Sequence, residues 1–383
     1  MFCSVVLNSS RYGKIVGGLT MGVQAARKLE ILISCGIQAF ELFRTILFRR
    51  AHMISVDLTF KEKDRIYLQD ILLKLKNNPY SNYECFEEEV DDVINRGEVP
   101  AELVRLCEAR KNIDTFANPY IFIHNCPIDP HLPYLDFKSP VIDKRIKKLS
   151  YVAEGFLLIY AKLMSQEPIG YVNVNDGDVF QDIHPMESLC ETQSQKALND
   201  IYFHKDLANH YVRPDWVNII GLRGCEENEV YTCFASNQKI LADLPENIKA
   251  LLRESEFNTP FDDLTTISGN LKMGSAPDHP VLGGATDYDI RYFERRTVGT
   301  TERARGAIEV LNRTLHSVKT PIHVLPGVFI GSANNECIHN KEVRLISNPQ
   351  ELRNRWLMKT VNVNNLDQHA KHVIPGKKRI IAG

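Results

Sequence analysis

The apolar positions of the first half of the chain mostly recur at helical spacing. Repeats at three- and four-residue intervals predict a helix over 59–76, which Pro79 ends, and a pair of helices within 86–110. The pattern then changes to a run of β-branched and aromatic residues that predicts a strand over 120–124. A longer apolar repeat predicts one helix over 146–164.

Short strand-like runs dominate the chain from Gly170 onward. Two helices are predicted among them, at 238–254 and 301–317. The predicted strands are 170–174, 179–183, 216–222, 230–235, 322–331 and 356–363. Strands of this length with irregular loops predict an α+β fold, namely a double-stranded β-helix (jelly-roll) core with flanking helices, because that arrangement protects its sheet edges. We find no linker that divides it, so residues 53–383 are predicted to form a single domain with its core at about 120–363.

Residues 1–52 are interpreted separately, as an N-terminal extension of apolar and amphipathic character. Its most apolar part, 29–48, is interrupted by Glu30, Glu41 and Arg44. The longest uncharged run, 31–40, is shorter than the roughly 20 residues that a membrane-spanning helix needs. We expect an amphipathic helix that docks on the domain or on a partner, with a membrane-surface helix as the alternative. Translation could equally begin at Met53.

The amino-acid composition argues against some functional classes but does not identify the function. Apolar residues make up 44% of the 383 residues, enough to fill a large core. The 46 lysines and arginines against 48 acids give a net charge of −2, so the chain as a whole does not favour a nucleic-acid partner. Nine cysteines without CxxC pairs fit neither a disulfide framework nor a zinc site and indicate a cytoplasmic protein.

The candidate chemistry begins with His204, which has an acid two positions later, Asp206. Roughly one such pair is expected by chance in a chain with this many histidines and acids, so the motif has little weight alone. In an extended segment, however, residues i and i+2 project from the same face, and the imidazole and carboxylate can bind one ion. A second, distant histidine would complete the two-histidine, one-carboxylate triad that leaves positions open on Fe(II).

Several later histidines could supply the third ligand. His316 falls in a predicted helix, and the last two lie in a polar tail. An Fe(II) centre of this type that uses 2-oxoglutarate also needs a guanidinium for the distal carboxylate, and His339 is followed by Arg353 and Arg355. The candidates in chain order are His279, His316, His323, His339, His369 and His372.

Residues 203–216, continuing through Gly221-Leu-Arg-Gly224, resemble the metal-binding segment of the clavaminate synthase-like oxygenases. Within them, this chain is most similar to the amino-acid hydroxylases typified by asparagine oxygenase and arginine β-hydroxylase. Where the family usually has glutamate, this chain has Asp206. Further similar segments follow the family's order: 167–170, 181–185, 191–193, Pro326-Gly327, Asn334, His339 and Arg355-Trp356.

The resemblance implies a role for each matched residue. His204, Asp206 and His339 would hold Fe(II), and O₂ would react at the remaining coordination position. Arg355 and Thr232, which lies 28 residues after His204, would bind the far carboxylate of 2-oxoglutarate. Two extra residues separate His339 from the arginine-tryptophan pair, so Arg353 is a competing candidate for the same role.

The resemblance also implies a substrate site. A glutamate at the position of Glu191 would bind the substrate's α-ammonium group, with Gln193 beside it. Arg291 matches a family arginine, whereas Phe293 stands where the family has an aspartate that contacts substrate. Either Asp289 or Asp287 could supply the missing charge, or Phe293 could simply pack in the core.

The implied function is hydroxylation of the side chain of a free L-amino acid or close derivative, with release of succinate and CO₂. One alternative is desaturation or cyclisation of an amino-acid-derived metabolite by the same chemistry. Another is a metal-bearing binding module without turnover, and a third is a β scaffold whose histidines are structural. The expected partner is a small, amino-acid-like molecule, and the sequence leaves the oligomeric state open.

Overall fold

A computed structural model describes residues 55–208, 210–260, 277–284 and 286–382 of the chain, within a compact unit that spans Ser55–Gly383. The N-terminal extension at 1–52 and the amphipathic helix predicted within it lie outside the described residues. Among the described residues, no helix combines the length and the apolar character needed to cross a membrane.

Five helices precede most of the strands. The predictions for 59–76 and 86–110 are confirmed. The helix predicted over 146–164 is confirmed over Val152–Leu163, but residues 146–147 belong to a separate helix and 148–151 form a break between the two. The second of them starts where Asp129, from a distant loop, accepts hydrogen bonds from the backbone N–H groups of Val152 and Ala153, each at 3.2 Å. These helices are α1 (Glu62–Leu72), α2 (Tyr83–Asn95), α3 (Ala101–Lys111), α4 (Pro140–Lys147) and α5 (Val152–Leu163).

The larger sheet contains eight strands. In order they are β1, β2, β11, β6, β13, β3 and β14, and β4 also pairs with β13. Trp356–Val363 has the bounds predicted from the sequence. The strands are β1 (Leu58–Thr59), β2 (Tyr120–His124), β3 (Glu167–Tyr171), β4 (Gln181–Ile183), β6 (Trp216–Arg223), β11 (Phe329–Ala333), β13 (Trp356–Val363) and β14 (Ile380–Ile381).

A smaller antiparallel sheet has the order β10, β7, β12 and β5, and β8 pairs with β9 separately. The single strand predicted over 322–331 is wrong, because it is two strands in different sheets, separated by a turn in which Gly327 has φ +77°. These strands are β5 (Ile201–His204), β7 (Glu229–Ser236), β8 (Phe257–Asn258), β9 (Val298–Gly299), β10 (Thr320–His323) and β12 (Cys337–Leu345).

Four further helices complete the described chain. The helix predicted over 238–254 is also wrong, because it divides at Leu244-Pro245, where proline removes the N–H that a continuous helix needs. The helix predicted over 301–317 is confirmed, and Thr301 caps it by accepting a hydrogen bond from the Ala304 N–H at 3.2 Å. They are α6 (Asn237–Asp243), α7 (Glu246–Leu252), α8 (Glu302–Val318) and α9 (Pro349–Arg353).

The two larger sheets each bury one face under helices. On β13, Trp356 and Met358 belong to the core formed with α1–α3 and α5, whereas Leu357 and Lys359 line a cavity on the opposite face. On β12, Ile338 packs in the core formed with α6–α8, whereas His339 and Lys341 line the same cavity. Because side chains alternate along a strand, the inner faces of both sheets supply the cavity walls.

Candidate metal centre

Two histidines meet on the inner face of the smaller sheet. His204 is the last residue of β5, and His339 lies directly opposite it on β12. Their ring centroids are 4.5 Å apart. Directly opposed residues of an antiparallel pair point to the same face, so strand register alone brings the two imidazoles together.

Asp206 reaches the histidines from a turn rather than from the strand. The sequence argument assumed extended backbone through 206, but β5 ends at His204 and Leu207 has φ +53°. Asn334 holds this turn from across the structure: its Oδ1 accepts from the Asp206 N–H at 3.1 Å, and its Nδ2 donates to the Asp206 carbonyl at 3.0 Å and to the Pro214 carbonyl at 2.9 Å.

One ligand atom each from His204, Asp206 and His339 lies within 4.8 Å of the other two, and this is the one group of its kind among the described residues. Asp206 Oδ1 is 3.5 Å from His204 Nε2 and 3.7 Å from His339 Nε2. His204 Nδ1 is 2.7 Å from the Tyr202 carbonyl oxygen, which can accept a hydrogen bond from that nitrogen. Such a bond leaves the Nε2 lone pair for a metal. The metal-binding role of the three residues stays a prediction.

The electrostatics keep Asp206 and His339 in the form that binds a cation. Burial opposes ionisation of Asp206, yet the Lys359 ammonium and the two imidazoles hold its pKa well below the usual range. Lys359 Nζ lies 2.8 Å from Asp206 Oδ2, the oxygen that does not face the histidines. Burial and the neighbouring His204 lower the pKa of His339 to about 3, so this imidazole is neutral.

A cavity of about 500 Å³ adjoins the cluster between the two sheets. Arg355 and Thr232 line it, as does Lys341. Arg355 is buried, its Nη2 has no hydrogen-bond partner, and burial lowers its pKa to about 10. Burial, reinforced by Arg355, lowers the pKa of Lys341 to about 7. A buried guanidinium nitrogen without a partner beside a cavity favours an anionic ligand.

Arg353, the competing candidate, lies elsewhere. It ends α9, is exposed and sits 5.5 Å from the centroid of the Phe137 ring. It does not line either cavity beside the metal cluster. The structure therefore places Arg355, and not Arg353, next to the predicted ligands.

A second, larger cavity of about 980 Å³, including its open mouth, lies on the other side of His204. Gln193, Arg291 and Phe293 line it, together with Arg296 and Lys359. The Phe293 ring stacks on the imidazole of His204, with centroids 5.3 Å apart and planes at 25°. Phe293 is thus a wall of this cavity rather than a residue of the hydrophobic core.

Two residues predicted to bind substrate are not in this cavity. Glu191 is exposed, on a turn, and does not line either cavity. Asp289 is buried in a charge cluster: it pairs with Lys205 and lies 3.2 Å from Arg213. Asp289 itself does not line the cavity, since its carboxylate already pairs with Lys205 and Arg213, and its role in binding substrate stays a prediction.

The other candidate histidines have structural partners. His279 Nε2 lies 2.8 Å from the Thr259 hydroxyl, and His316 Nε2 lies 2.8 Å from Glu294. His323 packs its ring against Tyr231, with centroids 5.2 Å apart. These contacts satisfy the rings without a metal.

Sequence reasoning missed two lysines that line these cavities, Lys341 and Lys359, and did not foresee how Asn334 holds the turn. The alternation of side chains along a strand could have revealed the two lysines. Lys341 is two residues after His339, and Lys359 is four after Arg355, so each shares a face with a predicted site residue.

The chain is similar in sequence to two curated oxygenases. It is 24% identical over 228 residues to L-asparagine oxygenase of Streptomyces coelicolor, which covers 60% of this chain and 67% of that protein. It is 24% identical over 260 residues to clavaminate synthase 2 of Streptomyces clavuligerus, covering 64% and 75% respectively. No protein-family model matches the chain. The resemblance inferred from the sequence motifs is confirmed by these relatives.

Solved structures share the fold. Asparagine oxygenase in complex with Fe(II), 2S,3S-3-hydroxyasparagine and succinate superposes with a TM-score of 0.72 at 21% identity, over 85% of this chain and 99% of that one. The non-heme iron oxygenase OrfP in complex with Fe, succinate and (3S)-hydroxy-L-Arg gives a TM-score of 0.69 at 16% identity, with the same coverage.

Proposed function

We propose that this protein is an Fe(II)- and 2-oxoglutarate-dependent dioxygenase that hydroxylates the side chain of a free L-amino acid or close derivative, releasing succinate and CO₂. One observation carries the proposal: a cluster of His204, Asp206 and His339 opens onto a cavity that contains Arg355, a buried guanidinium with an unpartnered Nη2. The relatives that the chain resembles are oxygenases, and the solved structures carry iron, succinate and hydroxylated amino acids.

The donor set fits Fe(II). Two neutral imidazoles and one carboxylate are the ligands that mononuclear iron oxygenases use, and they leave coordination positions for a keto acid and O₂. When bound, Fe(II) supplies the redox chemistry that couples decarboxylation of 2-oxoglutarate to oxidation of a substrate C–H bond.

The side chains around the cluster would position its components. The Tyr202 carbonyl orients the His204 ring, and Lys359 occupies the outer oxygen of Asp206, which leaves Oδ1 for the metal. Arg355 and Thr232 would hold the distal carboxylate of 2-oxoglutarate, with Arg355 able to form two parallel hydrogen bonds. This orientation places the keto acid group toward the cluster.

The larger cavity would bind the substrate. Its walls include Arg291, which suits a carboxylate, and Gln193, which suits a polar group. Phe293 covers one face of His204 and limits the access of water to the reacting side of the cluster. An amino acid held here would have its side chain near the cluster.

We assign the two facing sheets to a double-stranded β-helix core within a single oxygenase domain that begins near residue 53. All seven cysteines of the described residues are free, which supports a cytoplasmic location.

The test is turnover with defined components. Purified protein is incubated with Fe(II), 2-oxoglutarate, O₂ and a pool of amino acids, and succinate is measured alongside substrate mass. A product 16 mass units heavier that forms with succinate supports hydroxylation, whereas a loss of two mass units indicates desaturation or ring closure. Absence of 2-oxoglutarate decarboxylation under all conditions would refute an oxygenase and leave a binding module.

A further inference from the structure

Lys341 projects into the same cavity as Arg355. It lies two residues after His339 on β12, so both side chains point to the inner face, and it is paired in register with Thr232 of β7. Lys341 is 8% exposed, as is Arg355. Lys341, Arg355 and Thr232 therefore all line the cavity that adjoins the metal cluster, and the first two are basic.

Lys341 has little to balance its charge. Its Nζ donates one hydrogen bond, to the Ala197 carbonyl at 2.6 Å. Within the described part of the chain, neither Lys341 nor Arg355 forms an ion pair, and the exposed Asp200 attracts Lys341 only at longer range. An ammonium has three N–H donors, and a buried charge without a counter-ion is costly unless a ligand supplies one.

The one carboxylate that lines this cavity is already engaged. Asp206 contacts Lys359 through one oxygen and faces the two imidazoles with the other. It has no capacity left to neutralise Lys341 and Arg355. A bound anion would supply negative charge directly at that end of the cavity, which the exposed Asp200 does only from outside its wall.

We propose that Lys341 is a second cationic ligand of the cosubstrate's distal carboxylate, and that with Arg355 it makes the cavity selective for keto acids that end in a carboxylate. This inference rests on the proposed function, because it takes 2-oxoglutarate as the cosubstrate. Lys341 contributes a point charge to the carboxylate, whereas Arg355 contributes a planar fork.

The experiment compares two keto acids of equal chain length on protein loaded with Zn(II), which does not turn over. Binding of 2-oxoglutarate and of 2-oxopentanoate, which lacks the distal carboxylate, is measured by calorimetry for the wild type, Lys341→Met and Arg355→Met. Lys196→Met is the matched control. Lys196 is buried like Lys341 and its Nζ has no hydrogen-bond partner, but it does not line the cavity. Thermal unfolding verifies that each variant is folded.

We expect Lys341→Met to weaken 2-oxoglutarate binding at least about tenfold, the effect of losing a hydrogen bond between charged groups. Binding of 2-oxopentanoate should be unchanged, so selectivity between the two falls by the same factor. Lys196→Met should bind both acids like the wild type.

Three results would overturn the inference. A contact with the distal carboxylate is contradicted if Lys341→Met binds 2-oxoglutarate like the wild type, or if it binds both acids equally more weakly. In both cases the proposed function stands, provided that Arg355→Met loses 2-oxoglutarate binding. If the wild type itself binds neither acid, the proposed function fails and the inference fails with it.

Discussion

Two of the regions that bury basic side chains balance the charge differently. Next to α4 and α5, each buried lysine has two carboxylates. Lys148 Nζ lies 2.7 Å from Glu154 and 2.9 Å from Asp129, and Lys144 Nζ lies 2.7 Å from Asp182. Between the sheets, Arg355 and Lys341 have no carboxylate partner among the described residues.

The difference separates a structural role from a binding role. A fully paired lysine is part of the folded chain and offers no charge to a ligand, and removing it leaves buried carboxylates behind. A buried cation that lines a cavity without a counter-ion costs stability until an anion enters. The cationic side chains of this protein can therefore be sorted by asking which of them have partners. Four experiments would break or sharpen that distinction.

The largest effect is expected at the metal cluster, where function should be lost without loss of the fold. His339→Ala removes one of three ligands, and metal affinity should fall by more than the roughly 100-fold that loss of a supporting contact costs. Metal content after loading and gel filtration measures this, with circular dichroism as the check on folding. The exposed His131→Ala is the control. Full metal occupancy in His339→Ala would remove this residue from the ligand set.

The converse is expected beside α5, where stability should be lost. Lys148→Met leaves Glu154 and Asp129 buried without their cation and should lower the free energy of unfolding by about 3–5 kcal/mol. Urea unfolding measures it. Lys147→Met, which removes a half-exposed partner of Asp143, should cost less than about 1 kcal/mol. If both variants lost less than about 1 kcal/mol of unfolding free energy, the buried ion pairs of Lys148 would not contribute to stability.

Lys196 tests whether an unpaired buried cation is costly in itself. Burial lowers its pKa to about 8. Below that pH both folded and unfolded chains carry the charge and the folded state is penalised. As pH rises from about 8 past the ordinary value of 10.5, the folded state loses its proton first and the penalty disappears.

Lys196→Met should accordingly be more stable than the wild type at pH 7, by on the order of 3 kcal/mol, and this advantage should shrink toward pH 10.5. Paired denaturant unfolding curves across this pH range provide the measurement, since other titrating groups cancel in the difference. A constant difference between pH 7 and 10.5 would show that the Lys196 charge is not penalised.

The smallest effect is expected when the turn that carries Asp206 loses its hydrogen bonds to Asn334. Asn334→Ala removes three hydrogen bonds that hold the backbone around Asp206, and metal affinity should fall about 10–100-fold with the ligands intact. Titration with Mn(II) measures it. Asn335→Ala, its neighbour, should have little effect, because the Asn335 side chain reaches Asp215 at 3.4 Å and not the turn.

The sequence predicted most strands because they follow a local period, and it predicted the ligands of the cluster because they lie in short segments that match the family. Trp356–Val363 has a clear apolar pattern, and His204 and Asp206 are near each other in the chain. The turn that carries Asp206 could not be predicted, since Asn334, 128 residues away, holds it. Local sequence cannot reveal a hydrogen bond of that separation.

The two helix predictions that missed a break did so for different reasons. The break before α5 depends on Asp129, whose carboxylate accepts the first N–H groups of the helix from a separate loop. Pro245, in contrast, was a local signal that the apolar period outweighed. The two strands within 322–331 look continuous in hydrophobicity, and only the turn at Gly327 assigns them to different sheets.

His204 and His339 lie directly opposite each other on β5 and β12. The cluster is therefore sensitive to whether an insertion or deletion in either strand has an odd or an even number of residues. A one-residue slip of either strand would turn one imidazole toward α6–α8 while every sheet hydrogen bond could re-form, whereas a slip of two residues would restore the face but not the partner. We therefore expect insertions and deletions in these two strands to disturb the cluster more than exchanges between apolar residues that keep the register.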